Sequence, residues 1–292
     1  MKEKTFFAVP KKGRLFETTI HYLQKAGIAH QKKDRLDISH SQSFPGLVLF
    51  FLPAKDIAHY VGQGEVDLGI TGQDVVKESK VDVMEKLTFD FHNCRLSLQA
   101  PIGKYKDPSE LLGKRIVTSF PNLAQKYFEE LGKSKSLSHL WETDIRPVSG
   151  SVEIACQLGL ADAVIDLIET GETMKQAGME ELAHVMNSKP ALIINPKSAK
   201  KELIETLSNR LTGVAIAEKY VMIEYNIEKK NRHFGEKITP GQKSPTVLPL
   251  EDELWVAIKA MVLKSQANLL MDQLKAVGAC DIVIYAIDNC RI

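Results

Sequence analysis

Cysteine is scarce in this sequence and is never spaced for a metal site. The 292 residues include four cysteines, Cys94, Cys156, Cys280 and Cys290, and no C-x-x-C pair. The eight histidines show no H-x-x-x-H spacing. Structural zinc sites and disulfide frameworks need such spacings, so we expect neither. The pattern is typical of a protein from a reducing cytoplasm.

A long hydrophobic run and an excess of one charge are also missing. No apolar run is long enough to span a bilayer, and the N-terminal MKEKTFFAVPKKGRL lacks the apolar core of a signal peptide. The formal net charge is +1, without a dense basic run, so a nucleic-acid partner has no electrostatic support. We therefore expect a cytoplasmic globular protein of two or three domains, with no membrane and no nucleic-acid partner.

Apolar strand-like runs alternate with amphipathic stretches through the first 213 residues. TFFAVP, GLVLFFLP and VDLGITG are predicted strands separated by helices, and KRIVTSF, DIRPVSG and DAVIDLIE form a second set with helices at 122–131 and near 152–158. Continuous apolar strands between helices predict parallel sheets covered on both faces. We predict two α/β lobes around a cleft, 1–97 plus 184–213 and 98–183, with NCRLSLQAPIGKYKDPSELLG as the crossover.

The pattern changes after Gly213. KYVMIEYNI, PTVLP, LWVAIKAMVL and CDIVIYAID are predicted strands, and KKNRHFGEKI and SQANLLMDQLKAVG are predicted helices. Their order, βαββαβ, predicts a small ferredoxin-like module with a one-faced sheet over 214–292. In metabolic enzymes such modules often sense an amino acid, which is an analogy from fold.

The segment AVIDLIETGETMK, residues 163–175, joins an apolar strand to acidic residues and a turn of small residues. Such a turn before a helix aims backbone N–H groups at one point and favours a phosphate. Thr170 and Thr173 add hydroxyls, and Gly171 allows close approach. Asp166 and Glu169 can hold ribose hydroxyls, directly or through Mg²⁺. We therefore favour a sugar-phosphate ligand; the alternative is an N-capped helix with exposed acids.

Basic and small residues follow other predicted strands, where α/β sheets commonly bind anions. The loop PKKGRL follows the first strand, VDLGITG ends in a glycine turn, and IVTSF supplies a hydroxyl at the corresponding strand end of the second lobe. The alternative for Lys12 and Arg14 is a solvated basic loop. For Asp67 it is a turn acid, and for Arg35 it is a salt bridge. The candidate contacts in these segments and in RLDI, for which the family resemblance described next implies ATP as the ligand, are Lys12, Gly13, Arg14, Arg35, Asp67, Gly69, Thr71, Gly72 and Thr118.

The wider segment VSGSVEIACQLGLADAVIDLIETGETMKQAGM, residues 148–179, closely resembles the signature of the ATP phosphoribosyltransferase family. The resemblance continues through AVPKKGRL, VDLGITG, IVTSFPNLAQKYF and TPGQKSPTVLPL. It covers essentially the whole chain, including the C-terminal module that distinguishes the family's long form. It implies two periplasmic-binding-protein-like lobes forming a catalytic cleft, plus a C-terminal ACT-like regulatory domain.

The resemblance also implies an activity. The family transfers the 5-phosphoribosyl group of phosphoribosyl diphosphate to N1 of ATP, opening histidine biosynthesis, with Mg²⁺ present. Asp166 and Glu153 are the implied catalytic and metal-contacting carboxylates. L-Histidine is the implied inhibitor, bound near Ser244 and Thr246, and a homo-oligomer from dimer to hexamer is implied. The implied phosphoribosyl-diphosphate contacts are Ser149, Gly150, Ser151, Glu169, Thr170, Gly171, Glu172 and Thr173.

Two other functions remain open from the residues themselves. Two α/β lobes around a cleft also describe small-molecule receptors, including periplasmic binding proteins. A phosphoribosyltransferase for another base would use the same loop. The absence of a signal peptide and the acids beside the phosphate turn count against a receptor, and the C-terminal module is unexplained by a salvage enzyme.

Overall fold

The computed structural model describes residues 4–29, 37–135, 142–150 and 152–291. The chain divides into two compact units, one formed by Met1–Ile20 with His30–Ile204 and the other by His21–Ala29 with Glu205–Ile292. Within the described ranges, no helix is both long and apolar enough to cross a membrane.

Strands and helices alternate along most of the chain. The strands are β1 (Thr5–Pro10), β2 (Ile38–His40), β3 (Leu47–Leu52), β4 (Leu68–Gly72), β5 (Met84–Thr88), β6 (Cys94–Pro101), β7 (Arg115–Thr118), β8 (Asp144–Pro147), β9 (Ala163–Ile168), β10 (Met179–Ser188), β11 (Pro190–Ile194), β12 (Tyr220–Glu228), β13 (Thr246–Pro249), β14 (Trp255–Leu263) and β15 (Cys280–Ala286). The α-helices are α1 (Arg14–Lys25), α2 (Ala54–Gly62), α3 (Gln73–Ser79), α4 (Pro121–Ser134), α5 (Glu172–Gln176), α6 (Lys201–Lys219), α7 (Arg232–Ile238) and α8 (Ala267–Ala276).

The first sheet has the order β2-β3-β1-β4-β11-β5. Strand β1 pairs in parallel with β3 and β4, whereas β2, β11 and β5 pair antiparallel with their neighbours. Ala8, Ile57, Val61 and Ile193 belong to the core between this sheet and α2. The prediction of wholly parallel sheets is therefore wrong, because β11 returns from the other lobe in the opposite direction.

The second sheet has the order β10-β6-β9-β7-β8 and is also mixed. Only β7 with β8 and β7 with β9 are parallel among its pairs. The segment predicted as a crossover supplies β6, an inner strand here, and a 3₁₀ helix at Pro108–Leu111. The helix predicted near 152–158 is a 3₁₀ turn at Val152–Ile154 followed by further turns. Gly159, at φ +69°, lies in these turns.

The C-terminal module has the predicted βαββαβ order, with strands arranged β13-β14-β12-β15 and all pairs antiparallel. Alternate residues of β12 are buried, as a sheet covered on one face requires. Tyr225 is fully buried there, and its hydroxyl hydrogen-bonds Thr239 at 2.8 Å. The α/β class and this module are confirmed, while the predicted domain boundaries remain predictions.

Glu78 of α3 caps a helix in the other lobe. Its Oε1 accepts from the backbone N–H of Asn122 at 2.9 Å, and its Oε2 accepts from that of Leu123 at 2.9 Å. These are first-turn N–H groups of α4, whose N-cap residue, Phe120, makes no side-chain cap bond. A carboxylate there satisfies unpaired donors and complements the helix dipole.

Replacing Glu78 by Ala should lower the free energy of unfolding by about 1–2 kcal/mol, because α4 loses its cap. Urea denaturation of the purified chain measures the change. Glu130→Ala is the matched control, since Glu130 lies exposed on α4 with Lys126 at 3.9 Å and such pairs contribute less than about 1 kcal/mol. Equal effects of the two changes would contradict the capping role.

Candidate active site

Strand β9 leads from the core of the second lobe to a tight turn and a short helix. Val164 and Ile165 are fully buried, and the chain then emerges at Glu169 and Thr170. Gly171 has φ +82° and is the N-cap of α5. A side chain at this left-handed φ is strained, so glycine suits the turn, and the backbone of the turn is left accessible.

Asp166 stands near the end of β9 in a desolvated position. The pKa of its carboxyl is raised to about 6, chiefly by burial and also by the nearby charge of Glu153, against a hydrogen bond from the Leu167 backbone N–H that lowers it. That bond joins Leu167 N to Asp166 Oδ1 at 2.9 Å. A carboxyl with a pKa near neutrality can exchange its proton at physiological pH.

Asp162, at the start of the same strand, has the opposite environment. The guanidinium of Arg115 lies 3.0 Å from its Oδ2, and this contact holds the pKa of Asp162 below its ordinary value. Two carboxyls of one chain segment are therefore tuned in opposite directions by burial and by pairing. Only Asp166 lies toward the turn at Glu169–Gly171.

A cleft of about 340 Å³ opens beside this turn. Arg14 of α1 and His92, which precedes β6, contribute to its wall from outside β9 and α5. The side chain of Met174 packs against the core of the second lobe and also lines this cleft. The lining residues are Arg14, His92, Cys94, Leu167, Ile168, Glu169, Thr170, Gly171, Thr173 and Met174.

Glu169 joins the two lobes across this cleft. Its Oε2 accepts from Arg14 Nη1 at 2.7 Å, and its Oε1 lies 3.2 Å from His92 Nδ1. Arg14 and Glu169, predicted separately as nucleotide and sugar-phosphate contacts, thus lie together and pair with each other. The guanidinium is 71% exposed, so a ligand in the cleft can reach it.

The loop before α1 brings the predicted basic residues to the same strand end. Lys12 and Arg14 are exposed, and Gly13 between them has φ +81°. The Gly13 carbonyl accepts from the N–H groups of Phe16 and Glu17. Gly13 thus precedes the first turn of α1, with Lys12 exposed and Arg14 exposed beside its partner Glu169.

Asp67 lies away from this group. It precedes β4, and its Oδ2 accepts from Phe6 N at 2.8 Å while its Oδ1 accepts from Ser198 Oγ at 2.6 Å. Because β4 runs parallel to β1, the start of β4 is at the opposite sheet edge from the loop of Lys12 and Arg14. The acid links β1 to the segment after β11 and has no oxygen turned to the cleft.

Other predicted ATP contacts are also occupied within the protein. Thr71 is fully buried and donates to the Ala54 carbonyl at 2.7 Å. Thr118 is fully buried, donates to the Ile165 carbonyl and accepts from Phe120 N. At Gly69 and Gly72 an added Cβ would lie 2.5 Å from Ile57 and 2.1 Å from Asp74. These four residues fit close packing, and the geometry does not bring them to the cleft.

The remaining predicted residues that the structure describes occupy four places. Glu153 belongs to the 3₁₀ turn at Val152–Ile154, close enough to Asp166 to act on its charge. Ser149 and Gly150 are exposed in the loop after β8, and Glu172 and Thr173 are exposed in the first turn of α5. In the C-terminal module, Ser244 and Thr246 are exposed at the start of edge strand β13. Arg35 and Ser151 lie outside the described residues.

Sequence reasoning missed His92 and Cys94. Both lie where the chain passes from the first sheet to the second, and neither belongs to a recognisable motif. The histidine makes the contact to Glu169 already described. Burial raises the pKa of Cys94 to about 11, with the charge of Asp74 adding to the shift, so its thiol is a poor nucleophile at neutral pH.

Two oxygen donors, Asp166 and Glu153, suit a hard cation. Among the described residues no group of three or more histidine, cysteine or acidic side chains could hold a metal ion. Mg²⁺ is commonly held by one or two carboxylates together with substrate phosphates and water. The donor set therefore fits a cation that arrives with a phosphorylated substrate.

An acid beside an accessible glycine turn, faced by a guanidinium from the other lobe, suits an α/β enzyme that acts on phosphorylated sugars or nucleotides. The family comparisons agree with this class. Residues 53–213 match the family model described as "ATP phosphoribosyltransferase", and residues 217–289 match "HisG, C-terminal domain".

Individual relatives extend the match to the whole chain. The ATP phosphoribosyltransferases of Yarrowia lipolytica and Saccharomyces cerevisiae are each 44% identical over 295 residues, covering 100% of this chain and 98% of the relative. A solved ATP phosphoribosyl transferase (HisG:HisZ) complex from Thermotoga maritima contains a chain with TM-score 0.60 and 30% identity, covering 71% of this chain and 98% of that one. The chain belongs to the ATP phosphoribosyltransferase family, glycosyltransferase-type enzymes of histidine biosynthesis.

The raised pKa of Asp166 predicts a gain in stability on its replacement by Asn. Between about pH 4, near the ordinary carboxyl pKa, and pH 6, the folded chain holds a proton that the unfolded chain has lost, so rising pH lowers the free energy of unfolding. Asp166→Asn removes this penalty. Without Mg²⁺ or substrate, the variant should unfold at a higher temperature than the parent at about pH 8 and lose this advantage near pH 4.

Asp162→Asn is the control of opposite sign. The lowered pKa of Asp162 contributes stability above the ordinary carboxyl pKa that is lost as pH falls through the folded value. This variant should therefore be less stable than the parent at about pH 8 and approach it in acid. Turnover should fall on the order of 100-fold only for Asp166→Asn. A loss of stability in Asp166→Asn at about pH 8 would contradict the assigned desolvation.

Proposed function

We propose that the chain transfers the 5-phosphoribosyl group of phosphoribosyl diphosphate to N1 of the ATP adenine. The products are N1-(5-phospho-β-D-ribosyl)-ATP and pyrophosphate, in the first step of L-histidine biosynthesis. The observation that carries the proposal is the desolvated carboxyl of Asp166 directly before the turn at Thr170–Thr173. Membership of the family and the cleft shared by both lobes support it.

The turn at Thr170–Thr173 binds the 5-phosphate in this proposal. Its backbone N–H groups and the two threonine hydroxyls are donors, and Gly171 lets the phosphate approach the main chain. Arg14 offers a guanidinium, which binds phosphate oxygens bidentately. Ser149, Gly150 and Ser151 are proposed to complete the sugar-phosphate contacts, and Glu172 lies in the same loop.

Asp166 and Glu153 act at the ribose. Displacement of pyrophosphate at the anomeric carbon develops positive charge on the ring, and a carboxylate held in a desolvated position stabilises that charge strongly. The same two residues would hold a substrate-borne Mg²⁺, which offsets the negative charge of the departing pyrophosphate. Glu169, at the cleft edge, is proposed to face the ribose hydroxyls of the substrate and not its phosphate.

ATP is proposed to enter from the side of the first lobe. Lys12, Gly13 and Arg14 are accessible there and carry the charge that its phosphates need. Adenine N1 is already a nucleophile, so orientation contributes more than a strong general base. We do not propose ATP contacts for Asp67, Gly69, Thr71, Gly72 and Thr118, because packing or protein hydrogen bonds occupy them.

The C-terminal module is proposed to bind L-histidine and inhibit the enzyme. Its edge strand β13 and the preceding loop expose Ser244 and Thr246, which can donate and accept hydrogen bonds. We propose a cytoplasmic homo-oligomer, from dimer to hexamer, that needs no separate regulatory chain. The Thermotoga structure is a complex with HisZ, and its chain is matched by 71% of this one.

The activity is tested by mixing the chain with ATP, phosphoribosyl diphosphate, Mg²⁺ and pyrophosphatase, and following product absorbance with and without L-histidine. We expect a product that requires both substrates and is suppressed by histidine. Ser244→Ala with Thr246→Val should raise the histidine concentration for half-inhibition without changing kcat. Absence of product with ATP but formation with another base would overturn the proposed acceptor, and binding without product would favour a receptor.

Replacing each of two glycines with positive φ by Ala distinguishes a loss of phosphate binding from the effect of backbone strain. Gly171 has φ +82° and Gly178 has φ +67°, and an added Cβ meets no atom closer than 3.7 Å at the first and none within 4 Å at the second. Each change to Ala should lower stability by about 1 kcal/mol through strain. Only Gly171→Ala should raise KM for phosphoribosyl diphosphate. Equal KM values for both variants would argue against phosphate contact at the turn.

A further inference from the structure

His92 has an unusual backbone conformation between the two lobes. Its φ is +47°, one of three positive values among described non-glycine residues. Left-handed backbone is unfavourable for such a residue and persists where surrounding contacts hold it. The ring packs edge-on against Phe91, with centroids 5.5 Å apart. The contacts of the His92 side chain therefore hold this strained backbone conformation.

The imidazole bridges a hydroxyl of the first lobe and a carboxylate of the second. Nε2 lies 2.9 Å from Thr18 Oγ1 on α1, and Nδ1 lies 3.2 Å from Glu169 Oε1. An ionised carboxylate only accepts hydrogen bonds, so Nδ1 carries the proton. In the neutral ring Nε2 then accepts from the Thr18 hydroxyl. Both ring nitrogens are satisfied, which fixes the ring orientation.

Glu169 has two partners, and only one of them is a candidate substrate contact. Its Oε2 is on Arg14 at 2.7 Å, and its Oε1 is on His92. When a substrate phosphate takes the Arg14 guanidinium, the carboxylate loses one partner while standing next to the phosphate turn. A free carboxylate there repels the phosphate. His92 is the contact that remains to restrain it.

We propose that His92 is a positioning residue for the phosphate loop. Its imidazole, oriented by Thr18, holds Glu169 so that Arg14 can transfer to the substrate phosphate without the carboxylate turning into the binding site. This inference rests on the proposed function, because it takes phosphoribosyl diphosphate as the ligand of the loop. His92 itself touches no reacting atom.

The test compares His92→Asn and His92→Gly in the full chain. Asn tolerates left-handed backbone and Gly adopts it freely, so neither needs a change of backbone, and both remove the bridge. Titration calorimetry with phosphoribosyl diphosphate should give about tenfold weaker binding for each. The KM for phosphoribosyl diphosphate should rise by a similar factor in both variants, with a much smaller change in kcat. Thr18→Val should also weaken binding, but by a smaller factor. His184→Asn is the control at an exposed histidine and should change neither the affinity nor the KM for phosphoribosyl diphosphate.

A rescue experiment separates positioning from a merely structural role. If His92 restrains the charge of Glu169, His92→Asn should weaken phosphoribosyl-diphosphate binding much less in a chain that already carries Glu169→Gln than in the parent chain. Unchanged binding in His92→Gly, or additive losses in the double variant, would overturn the inference while leaving the proposed function intact. A parent chain that binds no phosphoribosyl diphosphate would overturn both.

Discussion

The chain passes between the two lobes of the first unit at two neighbouring crossings. The candidate site depends on this junction of the two crossings. Residues 89–93 lead from β5 to β6, and Lys189 alone separates β10 from β11. Ser188 Oγ donates to the buried Asp74 of α3 at 2.5 Å, which ties one crossing to the first lobe, and Lys189 pairs with Asp90 at 2.7 Å, which joins the two crossings to each other. His92 lies on one crossing, so the cleft wall it forms is fixed by the same contacts.

The buried acid at this junction shows what the arrangement costs. Burial raises the pKa of Asp74 from its ordinary value, against hydrogen bonds from Ser188 and from backbone N–H groups, including that of Val75. An added Cβ at Gly72 would meet this carboxyl. Glycine before α3 thus leaves room for a polar contact between the lobes.

Local patterns predicted well those features that depend on neighbouring residues. The run from Asp166 to Thr173 predicted a strand end, a glycine turn and a helix, because each of these features is determined by a few adjacent residues. The βαββαβ module followed from the order of strand-like and helix-like runs after Gly213. Sheet pairing failed as a prediction, because the direction of β11 depends on a partner strand more than 100 residues earlier.

Residue roles at strand ends were harder to predict for a related reason. Asp67 and Thr118 stand in sequence contexts that suit ligand contact, yet their partners Ser198 and Ile165 are distant in sequence. A carboxylate or hydroxyl finds its partner only in the folded chain, so no local pattern distinguishes a binding group from a satisfied one. His92 carried no signal at all, since its role depends on Thr18 and Glu169, 74 and 77 residues away.

The contact between Arg14 and Glu169 is compatible with a binding role for both. The two side chains are 71% and 39% exposed, and exposed ion pairs contribute at most about 1 kcal/mol. A phosphate carries more charge and more acceptor oxygens than a carboxylate, so it forms stronger contacts with a guanidinium. Exchange of one anion for the other therefore costs little and keeps Arg14 paired throughout. The contact between Arg14 and Glu169 across the cleft is therefore weak enough for a substrate to replace.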